Sequence, residues 1–122
     1  MMKLTRRAAL AGAAMALCLA AGGTAMAQET FKVGTINPYS GPLALYGGEV
    51  NRGYELAADA VNEAGGILGR QVEILKGDAT NPQEGIAAVE RLATRENADA
   101  FIGTYLSAVA GAAWAARRSA PG

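Results

Sequence analysis

The chain has 122 residues, eleven Lys and Arg against eleven Asp and Glu, a single cysteine and no histidine. Without histidine there can be no Ser-His-Asp or Cys-His nucleophile and no His-containing metal site. Zinc and thiol enzymes are thereby excluded, because the lone cysteine, Cys18, lies in a leader-like opening stretch.

Lys3, Arg6 and Arg7 precede an uncharged run from Ala8 to Gln28, which holds Leu10, Met15, Leu17 and Leu19 and closes in Ala25-Met26-Ala27. A basic start, an apolar middle and a small-x-small finish are the parts of a secretory signal peptide. The cations stay on the cytoplasmic face, the apolar run enters the membrane, and small side chains fit the peptidase pocket. A retained anchor is the alternative. The run is long enough to span, but it is largely Ala and Gly and ends in a peptidase site. Residues 1–27 are therefore expected to leave by cleavage between Ala27 and Gln28. Thr5-Arg6-Arg7 fits ordinary and twin-arginine export alike. Cys18 follows Leu17 in mid-run, whereas a lipid-attachment cysteine follows a small residue. Cleavage would leave eight basic side chains against the eleven acidic ones, a net charge of −3. Such mild acidity argues against a nucleic-acid or membrane-surface role. It would also leave no cysteine for a disulfide.

Phe31 to Asn37 is short, β-branched and apolar at alternate places, which predicts a strand. Pro38-Tyr39-Ser40-Gly41-Pro42 then forces a loop, which is expected to extend to Gly48. From Glu49 to Ala64 the period changes: Val50, Tyr54, Ala57, Val61 and Ala64 recur at helical steps, and Gly65-Gly66 stops the helix. Gln71 to Lys76 predicts a second strand. Asp78 to Pro82 is a loop, with Asn81 as helix cap and Pro82 at the first helical position. Ile86, Val89, Leu92 and Ala93 mark one face of the next helix, ending near Arg95. Ala98 to Gly103 is a third strand, and Leu106-Ser107 leads into a helix from Ala108 to about Arg117, ahead of a polar tail.

The order β-α-β-α-β-α predicts an α/β fold, an open and doubly wound parallel sheet. In such sheets ligands sit beyond the carboxyl ends of the strands. That selects Asn37 to Gly48, Gly77 to Gln83 and Gly103 to Val109 as candidate segments.

No phosphate-binding glycine motif follows any of the strands, and neither a cofactor nor a metal is expected. Gly65-Gly66-Ile67-Leu68-Gly69 follows a helix and precedes a strand, the wrong order for cradling a phosphate, so it reads as a tight turn. Ser107 stands at the start of the last helix, where backbone amides lack partners and the helix dipole favours an anion. With the amides of Ala108 and Val109 it could hold a carboxylate, each charged hydrogen bond contributing roughly 1.5–3 kcal/mol. It could equally be an ordinary serine cap, and physics alone favours the cap because such caps are common. Tyr46 and Tyr39 could wall a pocket or pack on neighbours. Asp78 could bind a cation, but an acid after a strand more often caps a loop. Trp114 reads as packing.

Tyr39-Ser40-Gly41-Pro42-Leu43-Ala44-Leu45-Tyr46-Gly47 resembles the first loop of the periplasmic binding proteins for leucine, isoleucine and valine. Glu55 through Ala64 and Gly65-Gly66-Ile67-Leu68-Gly69-Arg70 are similar to their first helix and its glycine turn. Asp78-Ala79-Thr80-Asn81-Pro82, Ala87-Ala88, Phe101-Ile102-Gly103 and Ser107 continue the likeness in order. The resemblance implies a two-lobed receptor that closes on an amino acid or a related carboxylate or amide and delivers it to an ABC permease. It implies that Ser107 binds the ligand carboxylate, that Tyr46 lines the side-chain pocket, and that Tyr105 and Leu106 stand beside it.

The family fold runs several times further, through a second lobe and back. Residues 28–122 are therefore expected to be an incomplete N-terminal lobe, and the chain a truncated product or fragment. The expected role is solute binding for import, in the periplasm, without catalysis. A ligand-sensing module of the same fold is the alternative. An exported α/β enzyme would have to work without His, Cys or a phosphate loop.

Overall fold

A computed structural model describes residues 29–119, and the expected signal peptide at residues 1–27 lies outside them. Strand β1 (Phe31–Asn37) leads through a 3-10 turn, Gly41–Leu43, into helix α1 (Ala44–Glu63). Strand β2 (Val72–Asp78), helix α2 (Pro82–Thr94), strand β3 (Ala100–Gly103) and helix α3 (Ser107–Ser119) follow. The sheet order is β2-β1-β3 with both pairings parallel, and Val33 stands opposite Ile74 on one side and Ala100 on the other. This is the open parallel α/β sheet expected from the alternation.

As the central strand, β1 is covered on both faces, and Val33 through Asn37 are all buried. Its two faces differ chemically. Ile36 joins Ala79, Ala88, Val89, Leu92, Val109 and Ala113 in the apolar core beneath α2 and α3. On the other face Thr35 and Asn37 meet α1 and the loop before it through hydrogen bonds.

Asn81 caps α2 as expected, its side chain accepting from the Glu84 amide at 3.0 Å, with Pro82 in the first turn. Glu84 reaches back to accept from the amide and hydroxyl of Thr80, at 2.7 and 2.8 Å. Together these satisfy donors that a helix start leaves open.

Between α1 and β2, Gly65 and Gly66 take positive φ. Ile67 and Arg70 then exchange backbone bonds of 2.8 and 2.9 Å around Leu68 and Gly69, both at positive φ. That is a tight two-residue reversal.

Three expectations are corrected. First, α1 starts at Ala44, not Glu49, so Tyr46, Gly47 and Gly48 are helical and not part of the loop. The 3-10 turn launches the helix early, and Gly47 permits it. A Cβ on Gly47 would lie 2.1 Å from the Pro38 carbonyl oxygen, so only glycine lets the helix lie against that loop.

Second, the buried line of α1 is Gly47, Asn51 and Ala58, one step off the apolar series expected, and Val61 is exposed. Close approach and hydrogen bonding orient this helix more than apolar area does. Asn62 shows the same, exchanging bonds of 3.0 and 2.6 Å with the Val72 backbone at the start of β2. Third, α3 continues through Arg117 and Arg118 to Ser119, where a turn-forming tail was expected.

Candidate ligand site at the switch point

Chain order departs from spatial order at β1, whose neighbours are β2 on one side and β3 on the other. The connections leaving β1 and β3 therefore diverge toward opposite faces, opening a crevice at their carboxyl ends. Two of the three candidate segments meet there. Tyr46, in the first turn of α1, and Tyr105, in the β3–α3 connection, stack with ring centroids 5.5 Å apart and planes 9° from parallel. Each ring is 51% exposed, so the pair presents an aromatic surface at the crevice.

The third segment is supportive. Asp78 Oδ1 accepts from the Tyr39 amide at 2.7 Å and from the Ser40 amide at 3.2 Å, so this acid fastens the loop after β1. Tyr39 turns inward. Its hydroxyl lies 2.7 Å from Thr35 Oγ1 and donates to Asn51 Oδ1 at 3.1 Å.

At the start of α3 the Leu106 carbonyl receives the amides of Val109 and Ala110, at 3.1 and 3.0 Å. Leu106 is thus the cap position and Ser107 the first helical residue. Ser107 and Ala108 are both exposed, and among the described residues nothing accepts from their amides. The Leu106 amide donates to Thr104 Oγ1 at 3.2 Å, and the Leu106 side chain packs on the core. Val109 is buried in that core and its amide donates to the Leu106 carbonyl. Trp114, read from sequence as packing, is 45% exposed.

Sequence reasoning missed Thr35 and Asn51 and took Asn37 only as the first residue of a candidate segment; all three are buried polar residues behind the crevice. The available signal was polar side chains at alternate positions of a central strand. Asn37 Oδ1 accepts from the Tyr105 amide at 3.2 Å, and Asn37 Nδ2 donates to the Tyr39 hydroxyl at 3.4 Å. Asn51 Nδ2 donates to Glu55 Oε1 at 2.6 Å. The Lys76 ammonium, 3.2 Å from that oxygen, and the Asn51 amide hold the Glu55 carboxyl below its ordinary range. Among the described residues no group of three or more acids, cysteines or histidines could hold a metal.

A parallel sheet with an aromatic pair at its switch point has the architecture of a small-molecule-binding α/β protein. The chain belongs to the periplasmic binding protein family, whose model matches residues 30–120. Leu/Ile/Val-binding protein homolog 8 of Brucella suis biovar 1 (strain 1330) is 40% identical over 107 residues, 88% of this chain and 26% of that protein. Homolog 7 of the same strain is 40% identical over 91 residues, 75% of this chain and 23% of its own length. The chain thus spans about a quarter of the curated relatives it matches.

Among solved structures, the branched-chain amino acid transporter substrate binding protein LivJ of Streptococcus pneumoniae, in complex with isoleucine, superposes with a TM-score of 0.69 at 34% identity. That match covers 74% of this chain and 26% of LivJ. A solute binding protein from R. palustris in complex with benzoate matches with a TM-score of 0.61 at 35% identity, over 69% of this chain and 23% of that one.

Proposed function

We propose that the chain is the N-terminal part of a substrate-binding component of an ABC importer, taking an amino acid of the branched-chain type or a related small carboxylate or amide. Residues 28–122 form an incomplete N-terminal lobe behind a signal peptide, and the protein works in the periplasm, delivering its ligand to an inner-membrane permease without chemical turnover. The observation that carries this reading is the open start of α3, with exposed Ser107 and Ala108, in the same β3–α3 segment as the stacked Tyr105 and Tyr46.

The Ser107 hydroxyl and the Ser107 and Ala108 amides take the carboxylate, helped by the positive end of the helix dipole. Tyr46 and Tyr105 flank the remainder of the ligand, while Leu106 and Val109 hold the helix start in place. Relatives whose names include leucine, isoleucine and benzoate ligands support a carboxylate as the common element.

Titration calorimetry of the full-length protein with isoleucine, leucine, valine and benzoate tests this. One of these ligands should bind with one-to-one stoichiometry, and Ser107→Ala should weaken it about tenfold, the effect of losing one hydrogen bond to a charged group. Unchanged affinity in that variant would remove Ser107 from the site.

A further inference from the structure

We propose that Asn37 is the positioning residue of the switch-point site, setting where Tyr105 stands relative to Tyr46. For its ligand arm this rests on the binding role above; for its geometry it does not.

Asn37 is the last residue of β1 and is 1% exposed. Its backbone carbonyl accepts from the Ala79 amide at 3.1 Å, which ties the end of β1 to the loop after β2. Its side chain faces the other connections. The Tyr105 amide donates to Asn37 Oδ1, Asn37 Nδ2 donates to the Tyr39 hydroxyl, and that hydroxyl donates to Asn51 Oδ1. Asn51 Nδ2 in turn donates to Glu55, which Lys76 holds in place.

The Tyr39 hydroxyl, 2.7 Å from Thr35 Oγ1 and 3.1 Å from Asn51 Oδ1, links the Asn37–Tyr105 contact to α1. Asn51 and Tyr46 share the rigid body of α1. The relay therefore fastens the backbone of one tyrosine to the helix that carries the other. An amide side chain at position 37 offers an acceptor toward Tyr105 and a donor toward Tyr39 on one short stem, whereas leucine would lose both.

The test uses the full chain and reads the two rings directly. In the parent protein, proton NMR should show a through-space contact between the rings of Tyr46 and Tyr105. Asn37→Leu removes both the acceptor toward Tyr105 and the donor toward Tyr39, and Tyr39→Phe breaks the relay farther along. Both variants should keep the amide spectrum of α2 and β2 and lose the inter-ring contact. In both, affinity for whichever of isoleucine, leucine, valine or benzoate the parent binds should fall about tenfold. An inter-ring contact that persists unchanged in Asn37→Leu overturns the proposal. Should Asn37→Leu fail to fold, Asn37→Ala, which also removes the acceptor toward Tyr105, decides in its place. If the parent binds none of isoleucine, leucine, valine and benzoate, the importer reading fails while the ring measurement still judges Asn37.

Discussion

The Asp78 carboxylate holds the Tyr39 amide at 2.7 Å, joining the end of β2 to the loop that leaves β1. The same oxygen takes the Ser40 amide at 3.2 Å. An acid that could have served a ligand is thus committed to shaping the approach to the site. Asp78→Ala should lower unfolding free energy by about 1–2 kcal/mol in a urea titration, the range for hydrogen bonds to a charged but solvent-reachable acceptor. Asp78→Asn keeps one acceptor oxygen and should cost less.

Gly47 and Gly48 are neighbours in α1 with opposite constraints. A methyl at Gly47 meets the Pro38 carbonyl at 2.1 Å, whereas at Gly48 nothing lies within 4 Å. Gly47→Ala should destabilise by at least about 2 kcal/mol, through forced separation of helix and loop. Gly48→Ala should be neutral or stabilise by up to about 1 kcal/mol, the helix-propensity gain. Thermal melts of the two variants, moving in opposite directions, check this.

Leu92 is fully buried under the sheet, where it lies close to Gly34 and Gly77. Leu92→Ala should cost about 2–5 kcal/mol, because the strands around the cavity cannot collapse into it. Trp114→Ala, at a half-exposed ring, should cost under about 1 kcal/mol by the same measurement.

Three carboxylates tie together parts of the fold and titrate below their ordinary range. Glu84 is lowered mainly by the Thr80 backbone amide, Glu55 by Lys76, and Asp99 by the Lys32 backbone amide. A depressed folded pKa means the charged form is favoured by folding, so the stabilisation is present above the unfolded pKa. It is lost as pH falls from the ordinary carboxylate range through the lowered folded values. Stability measured by urea should therefore be flat near neutrality and decline in that acid window. Glu84→Gln should make the decline shallower.

Much of the fold was legible along the chain. Alternating periods predicted the six elements in order, and Asn81-Pro82 and Gly65-Gly66 marked a helix start and a helix end, because caps and turns depend on residues within a few positions. The boundary of α1 was not legible. Its early start depends on Gly47 meeting Pro38 across a loop, and its buried face follows hydrogen-bonding asparagines, which an apolar series does not show.

Histidine-free composition argued against histidine-based chemistry within these 122 residues with no reference to shape. The order of strands and helices, with the ordered motifs, placed a candidate site at the strand ends and named Ser107 and Tyr46 within it. Only the tertiary structure brought Tyr46 onto Tyr105, turned Tyr39 inward and committed Asp78 to a loop. Those outcomes depend on contacts between residues far apart in sequence. Periodicity and caps are local, whereas the sheet order β2-β1-β3 decides which distant side chains share a crevice and which buried asparagine stands behind them.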